Sequence, residues 1–321
     1  MTDRLLLVKT SAFGDIVQTF YVVEDIKRAR PEIEIFWCVD QRFVELAALH
    51  PAVSQVIPFP SRSWRSSVLR IQTWKQIFDW VSHLRSFKFE IALDLQGMYK
   101  SAFICWASGA PRKIGRTRFS SVEGLSNLVF NEKHDLPRIP GLASRNRAFA
   151  AKALGYDWTN LGISSGLEDD APDGRRRVAL IVGASSQQKM WPKDSWKELV
   201  QTLGADWNLD LVIVWGTEAE RDLAKEIKAD APQARVTNRV MSQKELVIFF
   251  RGCRAVIGGD TGPTHLAVAL KNQTLMIFSG TSPINYSHQD LKHLIPVGQF
   301  QQWPTSSEVA SALRRTLNFG F

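Results

Sequence analysis

Short apolar runs alternate with stretches of helical periodicity along this 321-residue chain, and this alternation restricts its fold more than any other feature. Leu5–Val8 is the first run: four consecutive apolar residues, typical of a strand buried on both faces, followed by a predicted helix from about Ile16 to Arg30. Further runs of this kind are Ile33–Val39, Val53–Phe59, Phe89–Leu95, Val178–Val182, Leu211–Val214, Ala255–Ile257 and Thr274–Phe278. Because strands that alternate with helices form parallel sheets covered by helices, the pattern predicts an α/β fold.

One polar segment divides this pattern into two halves. Residues 168–177 are charged, contain a Pro and a Gly, and predict a linker between domains at residues 1–167 and 178–305. Residues 306–321 predict a final helix that could pack back on the first domain. Ligands of open parallel sheets bind beyond the carboxyl ends of the strands, so we expect the functional residues at those ends, in a cleft between the two halves.

The positive charge of the chain is concentrated in one segment. Residues 58–118 contain eleven Lys and Arg but only three acids, so this segment accounts for the whole formal charge of +8. Such a localised field predicts an anionic partner, which could be a nucleic acid, a phosphorylated substrate or an anionic membrane surface; a solvated basic face is the plainer alternative. No apolar run approaches the roughly 20 residues that span a bilayer, and Leu5–Val8 is too short for a signal peptide. We therefore expect a cytoplasmic protein.

The segment from Gly258 to His265 contains the strongest candidate for a binding site. It follows the apolar run Ala255–Ile257 and leads into a predicted helix. A strand that turns into a helix presents the first unpaired N–H groups and the positive end of the helix dipole to an anion. We interpret the segment as the seat of a nucleotide diphosphate. A plain strand–turn–helix junction capped by Asp260 or Thr261 is the alternative.

Four other polar or sulfur-containing residues follow predicted strands and could act beside such a site. Asp15 could be a general base for an acceptor hydroxyl, or a helix-capping aspartate. Lys189 could neutralise charge on a phosphate leaving group, or be an exposed loop lysine. Glu220 could bind ribose hydroxyls, or favour a helix start through the dipole. Met241 could pack on a nucleotide base, or belong to the core.

The basic segment contains two stretches of mixed aromatic and polar residues. Ser61–Ser67 is predicted to be a loop, in which Arg62 and Arg65 could bind carboxylates or phosphates and Trp64 suits a membrane interface. A helix is predicted near residues 73–87 from apolar residues at helical spacing, and we expect these residues in the core. They are Trp74, Ile77, Phe78, Val81 and Leu84.

Several signatures of other enzyme classes are absent from the sequence. No GxGxxG follows Leu5–Val8, which argues against a dehydrogenase, and the lack of GxxxxGK[ST] argues against a P-loop kinase. No Asp-x-Asp pair is present that could hold a divalent metal against a diphosphate. A nucleotide diphosphate leaving group would therefore depend on Lys189, hydroxyl groups and helix N-termini for its stabilisation.

In combination, the motifs resemble those of glycosyltransferase family 9, the ADP-heptose:lipopolysaccharide heptosyltransferases. The stretches that carry the resemblance are Leu7–Thr19, Asp94–Ala102, Lys189–Pro192, Trp215–Gly216 and Gly259–Leu266. The resemblance implies the GT-B fold, with two Rossmann-like domains, one for the acceptor and one for the nucleotide sugar, facing across a cleft. It also implies an inverting transfer of heptose from ADP-heptose without a metal or other cofactor.

The resemblance also assigns residues. Asp15 matches the catalytic base. The donor-binding positions are Ser185, Ser186, Lys189, Glu220, Met241, Asp260, Thr261, Gly262 and His265. The acceptor-binding positions are Ser11, Gly14, Arg62, Arg65, Gln96 and Lys100.

The Arg-x-Trp-Arg sequence is most similar to that of the family members that add the first heptose to the acidic sugar Kdo of Kdo-lipid A. This implies a peripheral association with the cytoplasmic face of the inner membrane and no nucleic-acid partner. Alternatives are another acceptor, such as Kdo that already carries a heptose, another sugar nucleotide, or a non-catalytic protein that binds nucleotides or polyanions. Gly115–Gly124 departs from the family's acceptor loop, so the resemblance implies the donor more directly than the acceptor.

Overall fold

Two six-stranded parallel sheets, one in each half of the chain, form the framework of the protein. The structure is a computed structural model that describes residues 3–67, 69–168, 176–184, 186–206, 209–285 and 291–318. The chain divides into unit 1, Met1–Leu167, and unit 2, Glu168–Phe321. The α/β fold predicted from the alternation of apolar runs and helices is confirmed.

In unit 1 the strand order is β3-β2-β1-β4-β5-β6. The strands are β1 Arg4–Val8, β2 Glu34–Asp40, β3 Val53–Phe59, β4 Ile91–Asp94, β5 Arg112–Arg116 and β6 Glu132–His134. The helices are α1 Phe13–Ala29, α2 Val44–Ala47, α3 Ser61–Ser66, α4 Ile71–Ser86, α5 Tyr99–Ala107 and α6 Leu142–Leu154. Leu5, Leu6, Leu7 and Val8 are all fully buried, because β1 lies in the middle of the sheet with helices on both faces.

In unit 2 the strand order is β12-β11-β10-β7-β8-β9, which is the same order counted from the other end. The strands are β7 Arg177–Ile181, β8 Asp210–Val214, β9 Arg235–Val236, β10 Cys253–Gly259, β11 Gln273–Ile277 and β12 Leu294–Val297. The helices are α7 Lys193–Asp206, α8 Glu218–Asp230, α9 Gln243–Arg251, α10 Gly262–Ala269 and α11 Ser306–Asn318. Helix α11 packs on α7, β11 and β12 within unit 2, whereas the sequence suggested that it could return to the first domain.

The basic stretch after β3 differs from its predicted structure. Ser61–Ser66 is the helix α3 rather than a loop, and Trp64 is only 8% exposed. Its ring packs edge-on against Phe59, with 5.4 Å between the ring centroids, and against Trp80, at 5.7 Å. Trp64 therefore belongs to the core of unit 1 and is not available to a membrane interface.

Helix α4 also corrects an expectation, because only part of its apolar pattern is buried. Leu84 is fully buried, and Ile77 and Val81 pack on the core, as predicted. Trp74 and Phe78, predicted as core residues, are 60% and 73% exposed. Helical spacing reveals apolar positions but does not tell which of two apolar stripes faces the sheet. Within the described part of the chain, no helix is both long and apolar enough to cross a membrane.

Candidate functional site

In unit 2 a buried carboxylate organises the carboxyl edge of the sheet. Asp260 follows β10, and its oxygens accept hydrogen bonds from Lys189 Nζ at 2.7 Å and Thr281 Oγ1 at 2.9 Å. His265 Nε2 lies 2.9 Å from the other oxygen. Burial by itself raises the pKa of Asp260, but the hydrogen bonds and charges of His265 and Lys189 outweigh it and lower the pKa to about 2. Asp260 is therefore a fixed anion that positions Lys189 and His265.

A glycine allows the loop that carries Lys189 to reach Asp260. A Cβ added to Gly280, in the loop after β11, would lie 2.4 Å from the carbonyl oxygen of Gln188. Since real Cβ atoms do not approach a carbonyl oxygen this closely, only glycine lets the loop after β7 lie against the loop after β11. Lys189, Asp260 and Thr281 thus come together from three neighbouring strands.

The start of α10 provides a second polar feature beside Asp260. Thr261 occupies the N-cap position with extended backbone, but its side chain makes no capping bond and instead lies 3.0 Å from the hydroxyl of Thr264. Gly262 is the first residue of the helix, and Pro263 occupies its first turn. The initial N–H groups of a helix and its dipole favour an anion at this position. The Thr261 side chain therefore does not cap the helix, contrary to the alternative interpretation of this residue.

The other predicted donor residues lie at the carboxyl ends of β7, β8 and β9. Ser186 is exposed and precedes the helical turn that contains Lys189. Glu220 is half-buried; its carboxylate packs against Gly183 and accepts the Gly216 N–H at 2.7 Å. Met241 is half-buried just before α9. Ser185 lies outside the described residues.

In unit 1 the predicted base lies in the first turn of α1, directly after the central strand. Asp15 Oδ2 accepts the Ala12 N–H at 3.3 Å and forms an ion pair with Lys9 Nζ at 3.2 Å. The Asp15 side chain is 34% exposed, whereas that of Lys9 is almost completely buried. Burial lowers the pKa of Lys9, and the charge of Asp15 opposes this shift. The N-cap of α1 is Ala12, so Asp15 is not the N-cap aspartate of the plainer alternative; as the third residue of the helix it accepts the Ala12 N–H and remains open to solvent.

The predicted acceptor residues fall into two groups. Gln96 Oε1 accepts the N–H groups of Thr10 and Ser11 at 3.1 and 3.3 Å, and Lys100 Nζ donates to Ser11 Oγ at 2.9 Å. Gly14, adjacent to Asp15, lies at the same edge. Arg62 and Arg65 are exposed on α3, which follows β3, two strands away from β1.

Sequence reasoning missed three polar residues at these edges. Lys9 follows the apolar run of β1 directly, and Thr281 follows β11. Their position after the carboxyl end of a strand is the signal that could have identified both. Arg116, at the end of β5, was counted only as part of the basic segment. It is buried, its Nη2 donates to the Leu95 carbonyl oxygen at 2.7 Å, and burial lowers its pKa. Among the described residues, no cluster of three or more His, Cys, Asp or Glu could hold a metal ion.

Two sheets with the same strand order, each with polar side chains gathered at its carboxyl edge, form the α/β fold of the GT-B glycosyltransferases. The pattern of glycosyltransferase family 9 (heptosyltransferase) matches residues 77–309, and the chain belongs to this family. The family and enzyme class predicted from the sequence are thereby confirmed.

Named relatives and a solved structure extend over most of the chain. Lipopolysaccharide heptosyltransferase 1 of Pseudomonas aeruginosa is 32% identical, over 87% of this chain and 79% of that protein. The protein of the same name from Escherichia coli K12 is 28% identical, over 87% and 89%. The structure of E. coli heptosyltransferase WaaC with ADP covers 98% of this chain and 99% of its own, with a TM-score of 0.87 and 25% identity.

Proposed function

We propose that this protein transfers L-glycero-D-manno-heptose from ADP-heptose to the Kdo residue of Kdo-lipid A during synthesis of the lipopolysaccharide inner core. The observation that carries the proposal is the partly exposed carboxylate of Asp15 at the end of β1, held by the buried Lys9. An inverting transfer needs a base at the acceptor hydroxyl, and this carboxylate combines access to solvent with a fixed orientation. The relatives named lipopolysaccharide heptosyltransferase 1 support the choice of sugar and acceptor.

The donor is proposed to bind at the carboxyl edge of unit 2. The diphosphate of ADP-heptose would meet the N-terminus of α10 at Thr261 and Gly262, together with the ammonium of Lys189. Lys189 is held on Asp260, but its side chain is 24% exposed, so part of the ammonium remains accessible. Ser185, Ser186, Glu220 and Met241 are proposed to contact the sugar, the ribose and the adenine. The solved structure of WaaC with ADP supports an adenine nucleotide as part of the donor.

In the proposed reaction, Asp15 removes the proton of a Kdo hydroxyl as that oxygen attacks the anomeric carbon of the heptose. The bond between this carbon and the ADP oxygen breaks at the same time, and the configuration inverts. The charge that develops on ADP is stabilised by Lys189, His265 and the α10 dipole, so we propose that no metal is required. The proton on Asp15 then passes to solvent.

The acceptor is proposed to bind at the carboxyl edge of unit 1, beside Ser11, Gly14, Gln96 and Lys100. Arg62 and Arg65 are exposed arginines on α3, and guanidinium groups pair with carboxylates and phosphates through two parallel hydrogen bonds. The carboxylates of Kdo and the phosphates of lipid A are such groups. Because this acceptor is anchored in a bilayer, the protein is proposed to act peripherally at the cytoplasmic face of the inner membrane.

The test is turnover of ADP-heptose with de-acylated Kdo-lipid A, compared with an acceptor whose Kdo already carries one heptose, each with and without EDTA. We expect turnover of the Kdo acceptor and full activity in EDTA. Turnover of only the heptose-bearing acceptor would reassign the acceptor. Loss of activity in EDTA that Mg²⁺ restores would contradict the metal-free mechanism. ADP binding without turnover of any acceptor would indicate a non-catalytic nucleotide-binding protein.

A further inference from the structure

Helix α4 has two apolar stripes, and only one of them packs on unit 1. With about 100° between successive residues, Thr73, Ile77 and Leu84 fall on one side of the helix, and these are the residues that face the core. Ile71, Trp74 and Phe78 fall on a second side, and they are 87%, 60% and 73% exposed. Leu69, just before the helix, is 96% exposed. A surface helix that buries one apolar stripe has no need of a second one for its own folding.

A second group of exposed apolar residues lies at the same edge of the sheet. Phe119 and Val122 follow β5, and they are 97% and 67% exposed; the Val122 N–H donates to the carbonyl oxygen of Gly97, which follows β4. Helix α4 runs from the carboxyl end of β3 back towards the start of β4, so its first turns lie at the carboxyl edge. Strand β3 is at one end of the sheet and β5 is near the other, with β1 and Asp15 between them. The two apolar groups therefore flank the candidate base.

The charges around the apolar stripe of α4 are almost all positive. Residues 61–79 contain one acid, Asp79, and the four cations Arg62, Arg65, Arg70 and Lys75, all of them exposed. Arg118 is exposed beside Phe119. Apolar and aromatic side chains interspersed with Lys and Arg are the composition of helices that lie in the interface of an anionic bilayer. A second copy of this chain would bring like charges together, which disfavours self-association through this face.

We infer that the stripe Leu69, Ile71, Trp74 and Phe78, together with Phe119 and Val122, inserts into the headgroup region of an anionic lipid bilayer. Arg70, Lys75 and Arg118 bind the lipid phosphates. This docking turns the carboxyl edge of unit 1, with Asp15, towards the surface that holds the acceptor. The inference rests on the proposed function for its purpose, but lipid binding can be measured without any reaction.

The experiment is flotation of the full chain with vesicles of phosphatidylcholine alone or with about 30% phosphatidylglycerol, an anionic lipid. The test variant is Trp74→Ser combined with Phe78→Ser. Ile248→Ser is the matched control, because Ile248 is 71% exposed on α9 of unit 2. We expect binding to the anionic vesicles, at least about tenfold weaker for the double variant and unchanged for the control. A second variant, Arg70→Glu with Lys75→Glu, should lose the preference for anionic lipid without losing an apolar contact.

Activity assays then distinguish a failure of this inference from a failure of the proposed function. The Trp74 and Phe78 double variant should turn over the de-acylated, soluble acceptor like the wild type, but lose about tenfold in kcat/KM on acceptor embedded in anionic vesicles. If no acceptor is turned over by the wild type, the proposed function fails while the flotation result still stands. Wild-type affinity of the double variant for anionic vesicles would overturn the inference. So would a wild-type dimer that becomes a monomer in the double variant, because the stripe would then be a contact between copies.

Discussion

The carboxyl edges of the two units use the same parts differently. In each unit the loop after the first strand carries a lysine, Lys9 or Lys189, and the fourth strand is followed or ended by a buried aspartate, Asp260 or Asp94. In unit 2 the lysine reaches across to Asp260. In unit 1 the backbone N–H groups of Gln96 and Gly97 donate to Asp94 instead, and Lys9 pairs with Asp15 in the first turn of the helix that follows its loop. One edge therefore contains a fixed anion and the other an accessible carboxylate.

This difference shows that strand position alone does not define a chemical role. Asp15 and Asp260 both follow a buried strand at the start of a helix, yet of the two only Asp15 is open enough to exchange a proton with a substrate. Asp260, with three side-chain partners and a pKa of about 2, remains ionised. The following predictions test this contrast.

Replacement of the accessible carboxylate should have the largest effect. Asp15→Ala is expected to reduce kcat by about two to four orders of magnitude, the range for a lost general base. ADP affinity, measured by calorimetry, should stay at the wild-type value, because the residues proposed to bind the donor lie in unit 2. Glu32→Gln, at an exposed acid of unit 1, is the control. A kcat close to that of the wild type would remove Asp15 from the mechanism.

Replacement of the fixed anion should affect stability and its pH dependence. The ordinary pKa of 3.8 falls to about 2 on folding, so the ionised Asp260 contributes about 2 kcal/mol above pH 4, which is lost as the pH falls to 2. Asp260→Asn should lower the free energy of unfolding, measured with urea, and the gap from the wild type should narrow by about 2 kcal/mol between pH 4 and pH 2. A gap that stays constant with pH would mean that folding does not lower the pKa of Asp260.

Loss of Lys189, the lysine beside Asp260, should weaken binding of the donor. Lys189→Met removes a charged donor to phosphate, worth about 1.5–3 kcal/mol, so ADP should bind roughly ten- to a hundredfold more weakly. Lys193→Met, at an exposed lysine of α7 that pairs with Glu226, is the control for calorimetry. Unchanged ADP affinity would show that Lys189 serves only to neutralise Asp260.

Replacement of the corresponding lysine of unit 1, Lys9, should affect turnover more than stability. Lys9→Met removes the cost of burying the ammonium and keeps an apolar chain of similar length, and water can still solvate the partly exposed Asp15, which loses its ion-pair partner. We expect an unchanged or higher melting temperature, and about a tenfold lower kcat because Asp15 loses its orienting partner. Lys152→Met, at an exposed lysine of α6, is the control. A large drop in melting temperature with normal kcat would make Lys9 purely structural.

The smallest effect is expected from a methyl group placed next to Glu220. A Cβ on Gly183 would lie 2.2 Å from Glu220 Oε1, so the carboxylate must swing away while the backbone stays in place. Gly183→Ala should therefore weaken ADP binding by a few-fold, about 1 kcal/mol or less, with little change in melting temperature. In the control Gly216→Ala, the Cβ keeps 3.5 Å from the same carboxylate. Equal ADP affinities of the two variants would show that Glu220 does not contact the donor.

Local sequence predicted the strands, the divided α/β pattern and the aspartates at the strand ends, because burial of a parallel strand leaves a continuous apolar run. Local sequence did not predict which side chains bind those aspartates. Thr281 reaches Asp260 only because β11 lies beside β10, and strand order is not a local property. The exposed stripe at Trp74 and Phe78 was missed for a similar reason: periodicity cannot tell which apolar side of a helix meets the sheet. The assigned roles of the site residues remain predictions.

Gly280 has a consequence beyond its own loop. Because Gly280 has only a hydrogen atom as its side chain, the two loops can lie directly against each other. This close approach determines how far the ammonium group of Lys189 extends. A larger residue at position 280 would lift that group away from the phosphate it is proposed to meet, although the residue itself makes no contact with a nucleotide. The reach of the proposed contact between Lys189 and the leaving group is thus determined at a position that bears no functional group.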